Sequence, residues 1–230
     1  MGDVTLKVIA RIHNDFSSKF GLPRQSGMLS ALESTVVFEP EFRNSDMLRG
    51  LDGFSHLWLI WGFSENVREN WSPTVRPPRL GGNARLGVFA TRSPFRPNPL
   101  GLSCVELKSV NLGAPSGPTM TVLGADMMDG TPIYDIKPYL PYADSIPGAQ
   151  GGFAQNAPAA ALAVEFPEKL LKLIPPEKQA ALLAALSCDP RPAYQQNPKR
   201  VYGFGYAGFD IRFQVKDNVL TVVEVVDIPD

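Results

Sequence analysis

Residues 54–63 read FSHLWLIWGF, a run that is apolar almost throughout. It is far shorter than the roughly 20 residues needed to cross a bilayer. A run of this kind is stable only inside a folded core, where it reads as a buried central strand. That strand needs partners, and the surrounding sequence supplies candidates. Loosely alternating or β-branched runs occur at 4–13, 34–39, 85–91, 100–110, 119–126 and 132–136, separated by turn-forming residues. Between them, 16–28 reads as a polar loop, and 44–51 reads as a short helix capped by Asn44 or Ser45 and ended by Gly53. Asp129-Gly130 marks a turn between the last two runs. Many short strands at this spacing, with few helices among them, predict a barrel or sandwich.

The pattern changes near residue 145. Residues 147–158, PGAQGGFAQNAP, read as a surface connection, followed by short helices at 168–173 and 177–186. Pro175 and Pro176 end the first helix and suit the opening of the second. Residues 200–215 and 219–228 form a hairpin about Lys216-Asp217-Asn218. The expected architecture is therefore mainly β, with an N-terminal β domain over 1–146 and a small α+β domain over 147–230.

Residues 75–103 carry Arg76, Arg79, Arg85, Arg92 and Arg96 without one Asp or Glu, in a chain whose formal net charge is −1. Proline and glycine break this block into short pieces, so the guanidiniums sit on turns and not along one helix face. Fixed guanidinium forks suit phosphate and carboxylate groups, because each offers two parallel N–H donors. An anionic ligand is the expectation, against a structurally paired loop.

Common enzyme signatures are missing. The chain has no GxGxxG after an early strand, no GxxxxGK[ST] loop and no GxSxG elbow, and its two histidines, His13 and His56, leave a serine triad without support. Cys104 and Cys188 lie far apart without CxxC spacing, so no structural zinc site is expected, and no chemical role is assigned to either. The sequence has no long apolar span and no leader pattern; no membrane contact and a cytoplasmic location are expected. His56 reads either as a satisfied core histidine or as a pocket residue at a strand mouth. Asp52 and Asp129 each precede glycine and suit turns. In DPRPAY at 189–194, Arg191 and Tyr194 could form a structural corner or contact single-stranded RNA.

PRQSG at 23–27, DGFSHLW at 52–58, RPPRLGGNARLGVFATRSPFRPNPLGLS at 76–103 and DGTPIYDIKPYLPYADS at 129–145 occur together, followed by QNAPAA and DPRPAY. In this combination the chain resembles the TsaA-like family, in particular the TrmO-type tRNA methyltransferases. The resemblance implies a β-barrel methyltransferase that uses S-adenosyl-L-methionine without a Rossmann-like sheet. It also implies a homodimer with the cofactor near the subunit interface. The implied acceptor is N6 of N6-threonylcarbamoyladenosine, next to the anticodon of tRNA. Cofactor contacts carried over from the family are Pro23, Arg24, Gln25, His56, Leu57, Arg92, Leu102, Asp129, Gly130, Thr131 and Pro132. Arg96 is expected to hold the threonyl carboxylate or a flanking phosphate, and Arg76, Arg79 and Arg85 either reach tRNA or shape the turn. No residue declares itself as catalytic base; His56, Arg96 and Asp129 are the candidates for catalysis. Two other functions stay open: a methyltransferase of the same fold acting on a small carboxylate-bearing metabolite, and a non-catalytic RNA-binding barrel.

Overall fold

A computed structural model describes residues 4–23, 25–64, 71–156, 161–191 and 197–228. In chain order its strands are β1 (Ala10–His13), β2 (Glu33–Phe38), β3 (His56–Gly62), β4 (Thr74–Val75), β5 (Leu86–Gly87), β6 (Leu100–Asn111), β7 (Thr119–Leu123), β8 (Pro132–Pro138), β9 (Ala163–Glu165), β10 (Tyr202–Tyr206), β11 (Phe209–Lys216) and β12 (Val219–Asp227). Helices are few: α1 (Pro141–Asp144), α2 (Glu168–Leu171) and α3 (Pro176–Ser187). None of the described helices is long and apolar enough to cross a membrane.

Six strands close into a barrel in the order β1-β2-β7-β6-β3-β8, with every pairing antiparallel. Closure removes free edges from the sheet. It also leaves one face of each strand for the core. Leu57, Leu59 and Trp61 of β3 point inward and are buried, whereas His56 is exposed and Trp58 and Ile60 are half-buried on the outer wall. The apolar run is thus central between β6 and β8, but it is not buried on both faces. The twelve-residue β6 serves two neighbours: its first half pairs β3, and a register shift between Leu107 and Ser109 bends the rest along β7.

Several expected elements are shorter. The run at 4–13 forms a strand only over Ala10–His13, since Val4 and Leu6 are exposed and outside the ladder. Residues 85–91 give two strand residues paired to Thr74–Val75 and then a 3-10 turn at Val88–Ala90. Instead of one helix, 44–51 forms 3-10 turns at Ser45–Leu48 and Leu51–Gly53, the first capped by the Asn44 side chain accepting from the Asp46 amide at 3.0 Å. β7 stops at Leu123 because Gly124 adopts φ +76°, which releases residues 125–131 into a loop. The expected hairpin strand at 200–215 is cut at Ala207, whose φ is +50°, into β10 and β11. Asp217 and Asn218, both at positive φ, then turn β11 into β12.

The second unit is a four-stranded sheet, β10-β11-β12-β9, with the short β9 parallel to β12. The apolar side of α3, including Leu182 and Leu186, is buried in the same core. That core also contains Phe16, Leu29 and Leu32 from the segment between β1 and β2, with Phe20 and Leu22 packed against it. The segment expected to be a polar loop is therefore an apolar arm that the barrel extends into the second sheet. Phe16 is fully buried, its ring against Phe204 and edge-on to Tyr206. Phe16→Ala should cost about 3–5 kcal/mol of stability in urea unfolding and speed amide exchange in β10–β12. A cost below about 1 kcal/mol would show that the arm is not part of the core.

Candidate active site

The end of the barrel where β3 finishes and β8 begins holds a cavity of about 80 Å³. Its wall includes Leu22, Trp61, Phe63, Met127 and Met128, with Asp126 as the ionisable side chain that lines it. Gly101 on β6 sits opposite Trp61, and a Cβ there would lie 2.2 Å from the indole ring. The absence of a side chain lets the indole lie against β6 and donate from Nε1 to Ser103 Oγ at 2.8 Å. The indole nitrogen is only a donor, so the Ser103 hydroxyl proton points onward. It donates to Asp126 Oδ1 at 2.5 Å. Ser103 is itself fully buried.

Asp126 lies on the loop released by the end of β7, beside the Ser26 amide and the Arg92 guanidinium. Burial raises its carboxyl above the ordinary value, against the smaller opposing effects of the Ser103 hydroxyl, the Asp126 and Ser26 amides, and the charge on Arg92. Arg92 also donates from Nη1 to Gln25 Oε1. Gln25 and Arg92, distant in sequence, are therefore joined beside Asp126. Pro23 is buried nearby in the chain, and Arg24 lies outside the described residues.

The turn at 129–132 is held from several sides. Asp129 Oδ1 accepts from the Asn14 amide at 3.1 Å and lies 3.1 Å from His13 Nδ1. The Asp129 amide donates to Phe16 O, Arg11 Nη1 donates to Gly130 O at 3.0 Å, and the buried Thr131 hydroxyl donates to Met128 O at 2.8 Å. Pro132 opens β8 beside Arg11. Arg96 is similarly engaged: Nε donates to Ser93 O, and Nη2 donates to Val88 O and Thr91 O. These bonds organise the arginine loop. Arg79 donates to Asn156 O, while Arg76, Arg85 and Arg92 are exposed.

His56 and Leu57 lie elsewhere. His56 stands on the outer wall with Nδ1 3.0 Å from Ser55 Oγ and its ring near Tyr139. It is five positions from Trp61, roughly 17 Å along an extended strand. Leu57 points into the barrel core, so only its backbone faces outward. Leu102, 54% exposed, pairs with Ile60 on the same outer wall. Within one chain, then, Gln25, Arg92 and the 129–132 turn gather at one end of the barrel, and His56 does not join them. Arg191 forks back onto Asp189, at 2.8 and 2.9 Å, which makes the DPR turn a corner; Tyr194 lies outside the described residues. Burial and the charge of Asp144 raise the Cys104 thiol, so it stays protonated near neutrality. No group of residues suited to a metal ion occurs among the described residues.

Asp126 and Ser103 are site residues that sequence reading passed over, whereas Trp61, read with Trp58 and Trp71 as core or pocket wall, does line the cavity. Asp126 falls at the end of a run read as strand, and its partners come from β6 and β3.

The fold and the site define a β-barrel enzyme of the non-Rossmann type. The tRNA-methyltransferase O N-terminal domain family model matches residues 11–145, and the TrmO C-terminal domain model matches 159–228. The chain belongs to the TrmO family. It is 43% identical over 226 residues to the tRNA (adenine(37)-N6)-methyltransferase of Escherichia coli, covering 94% of this chain and 95% of that one. A Pseudomonas aeruginosa relative, 38% identical over 94% of this chain and 95% of its own length, carries the provisional name S-adenosylmethionine-dependent methyltransferase RcsF. A TrmO crystal structure superimposes with a TM-score of 0.78 at 32% identity, covering 98% of this chain and all of that one.

Because burial raises the Asp126 carboxyl above 3.8, the folded protein keeps that proton where the unfolded chain has lost it. Its contribution to stability is fully present below the unfolded value and is lost as pH rises through the folded one. The unfolding free energy of wild type relative to Asp126→Asn should therefore fall with increasing pH from about 3.8 and then level off. A difference that is flat with pH would contradict the burial of this carboxyl.

Proposed function

We propose that this protein is an S-adenosyl-L-methionine-dependent methyltransferase acting on N6 of N6-threonylcarbamoyladenosine next to the anticodon of tRNA. The observation that carries this reading is the joining of Gln25, Arg92 and Asp126 beside the Trp61 and Met127–Met128 wall. An apolar wall ending in a guanidinium and a side-chain amide fits a cofactor with an aromatic base and a charged amino-acid end. Gln25, Arg92 and the 129–132 turn would hold it at this end of the barrel. When bound, the cofactor supplies an electrophilic methyl group.

The protein's part is alignment and electrostatics. Phe89, 80% exposed, lies between Arg85 and Arg92 in sequence. An exposed ring among guanidiniums suits an unpaired base and its flanking phosphates. The anticodon loop is already single-stranded, so its base is reached without opening a duplex. In this reading the barrel, 1–146, is the catalytic unit, and 147–230 assists tRNA binding. The arginine loop recognises the threonyl carboxylate, with the exposed Arg76 and Arg85 better placed for it than Arg96.

The active form is a homodimer in the cytoplasm. Half-buried Trp58 and Ile60 share the outer wall with exposed Leu102, while Tyr142 and Ile146 after β8 are also exposed. A second copy seated there would bring His56 and Leu102 of one chain toward the Gln25–Arg92 end of the other, near a shared cofactor.

Incubation with labelled cofactor and tRNA, with and without the threonylcarbamoyl group, followed by nucleoside analysis, tests this reading. Label is expected only in the modified tRNA, and label in neither removes the proposal. Arg92→Ala should lower kcat/KM by about 10- to 100-fold, the worth of one charge-assisted hydrogen bond. Unchanged cofactor affinity and turnover would remove Arg92 from the site.

A further inference from the structure

We propose that Asp126 is the general base of the methyl transfer, its carboxylate receiving the N6 proton as the N6–methyl bond forms. This rests on the functional reading above. A carbamoylated N6 carries one proton and shares its lone pair with the adjoining carbonyl and ring, so it becomes a useful nucleophile only as that proton leaves.

The other ionisable groups near the site are already engaged. Asp129 accepts from the Asn14 amide and faces His13, and Arg96 is spent on loop carbonyls. His56 lies on the outer wall. Asp126 differs because it lines the cavity, which Asp129 does not, and it still has acceptor capacity. A carboxylate offers about four acceptor positions. Donors to it come from Ser103 on β6, the Ser26 amide on the 23–28 loop, and the Asp126 amide, leaving room for one more N–H. Among the described residues, the charged group that faces it is Arg92. Trp61 on β3 fixes Ser103, and Ser103 in turn fixes the carboxylate.

The charge balance favours this assignment. The methyl carbon–sulfur bond breaks with its electron pair left on sulfur, the N6 pair forms the new N–C bond, and the proton moves to Asp126. A sulfonium cation and a carboxylate anion become a neutral thioether and a neutral acid. A poorly solvated site favours a step that removes two opposite charges, because neither neutral product needs water. Burial that raises the carboxyl also makes it a stronger acceptor.

The test measures single-turnover methylation of threonylcarbamoylated tRNA against pH, with cofactor affinity measured by calorimetry, for wild type, Asp126→Asn and Ser103→Ala. The wild-type rate should rise through one ionisation above 3.8 and then plateau. Asp126→Asn should bind cofactor within about threefold of wild type while transferring about 100- to 10,000-fold more slowly. Ser103→Ala removes a hydrogen bond to the charged form, so it should stay active with its midpoint displaced to higher pH. A carboxyl NMR titration should show the same displacement without turnover. Asp126→Asn within tenfold of wild type, a rate loss matched by lost cofactor affinity, or an unmoved Ser103→Ala midpoint each overturns the assignment. No tRNA methylation by wild type overturns the functional reading and this assignment together.

Discussion

Closure of the barrel is the constraint from which the site follows. A closed antiparallel sheet of six short strands has one interior, filled here by Leu57, Leu59, Val105, Met120, Val122 and Ile133. Such a core packs near crystal density. Chemistry is displaced to the barrel end and its loops. Trp61, the last inward residue of β3 before Gly62, is where the packed interior meets the cavity, and its indole both closes the core and orients Ser103.

The same economy joins the two halves. The chain leaving β1 passes through Asn14, whose side chain donates to Met127 O at 2.8 Å and accepts from the Phe16 amide at 2.9 Å. Phe16 then enters the core of the second sheet. Asp15 receives Lys178 of α3 at 2.7 Å, and its carbonyl accepts from the Ala207 amide. Three consecutive residues therefore tie the loop carrying Met127 and Asp129 to the second sheet and to α3. A change in the docking of the second unit would be felt at the 125–131 loop through this short path, without passing through the barrel core.

Much of the barrel was legible because antiparallel strands write their single buried face as alternation. β2, β3, β6 and β8 fall within two residues of the expected limits at most ends. What was hidden depended on partners distant in sequence. Val4 and Leu6 alternate as a strand would, but no neighbour reaches them. β9 has three residues and forms only because β12 offers its edge. Phe16, Phe20 and Leu22 looked like scattered apolar residues in a polar loop, since nothing local says that Phe204 and Tyr206 await them. The arginine block announced itself as a site by composition, and the division of labour within it did not. That Arg96 organises carbonyls while Arg92 turns toward Gln25 follows from the 3-10 turn at Val88–Ala90, where a strand was expected.

Ionisable residues in this protein sort by how much of their bonding capacity the fold has already consumed. Arg96, Arg191, Asp129 and Thr131 are conspicuous in sequence, and each closes a turn. A group already held by partners within or beside its turn is rigid and costly to redirect, because a donor or acceptor torn from a buried bond loses about 1–3 kcal/mol. Such groups shape a site without being available to its ligand. Asp126 and Arg92 are the reverse case: Asp126 lines the cavity while held by Ser103 and two amides, and the exposed Arg92 is bonded to Gln25 with capacity facing solvent. Their opposite charges also hold each other in check. Arg92 favours the ionised form of Asp126, but burial opposes it more strongly, so the carboxyl holds a proton more tightly than a solvated aspartate does. A fully solvated aspartate would be too weak an acceptor, and a fully enclosed one would be protonated beforehand. The barrel end, half walled by Trp61 and the methionines, provides the intermediate setting.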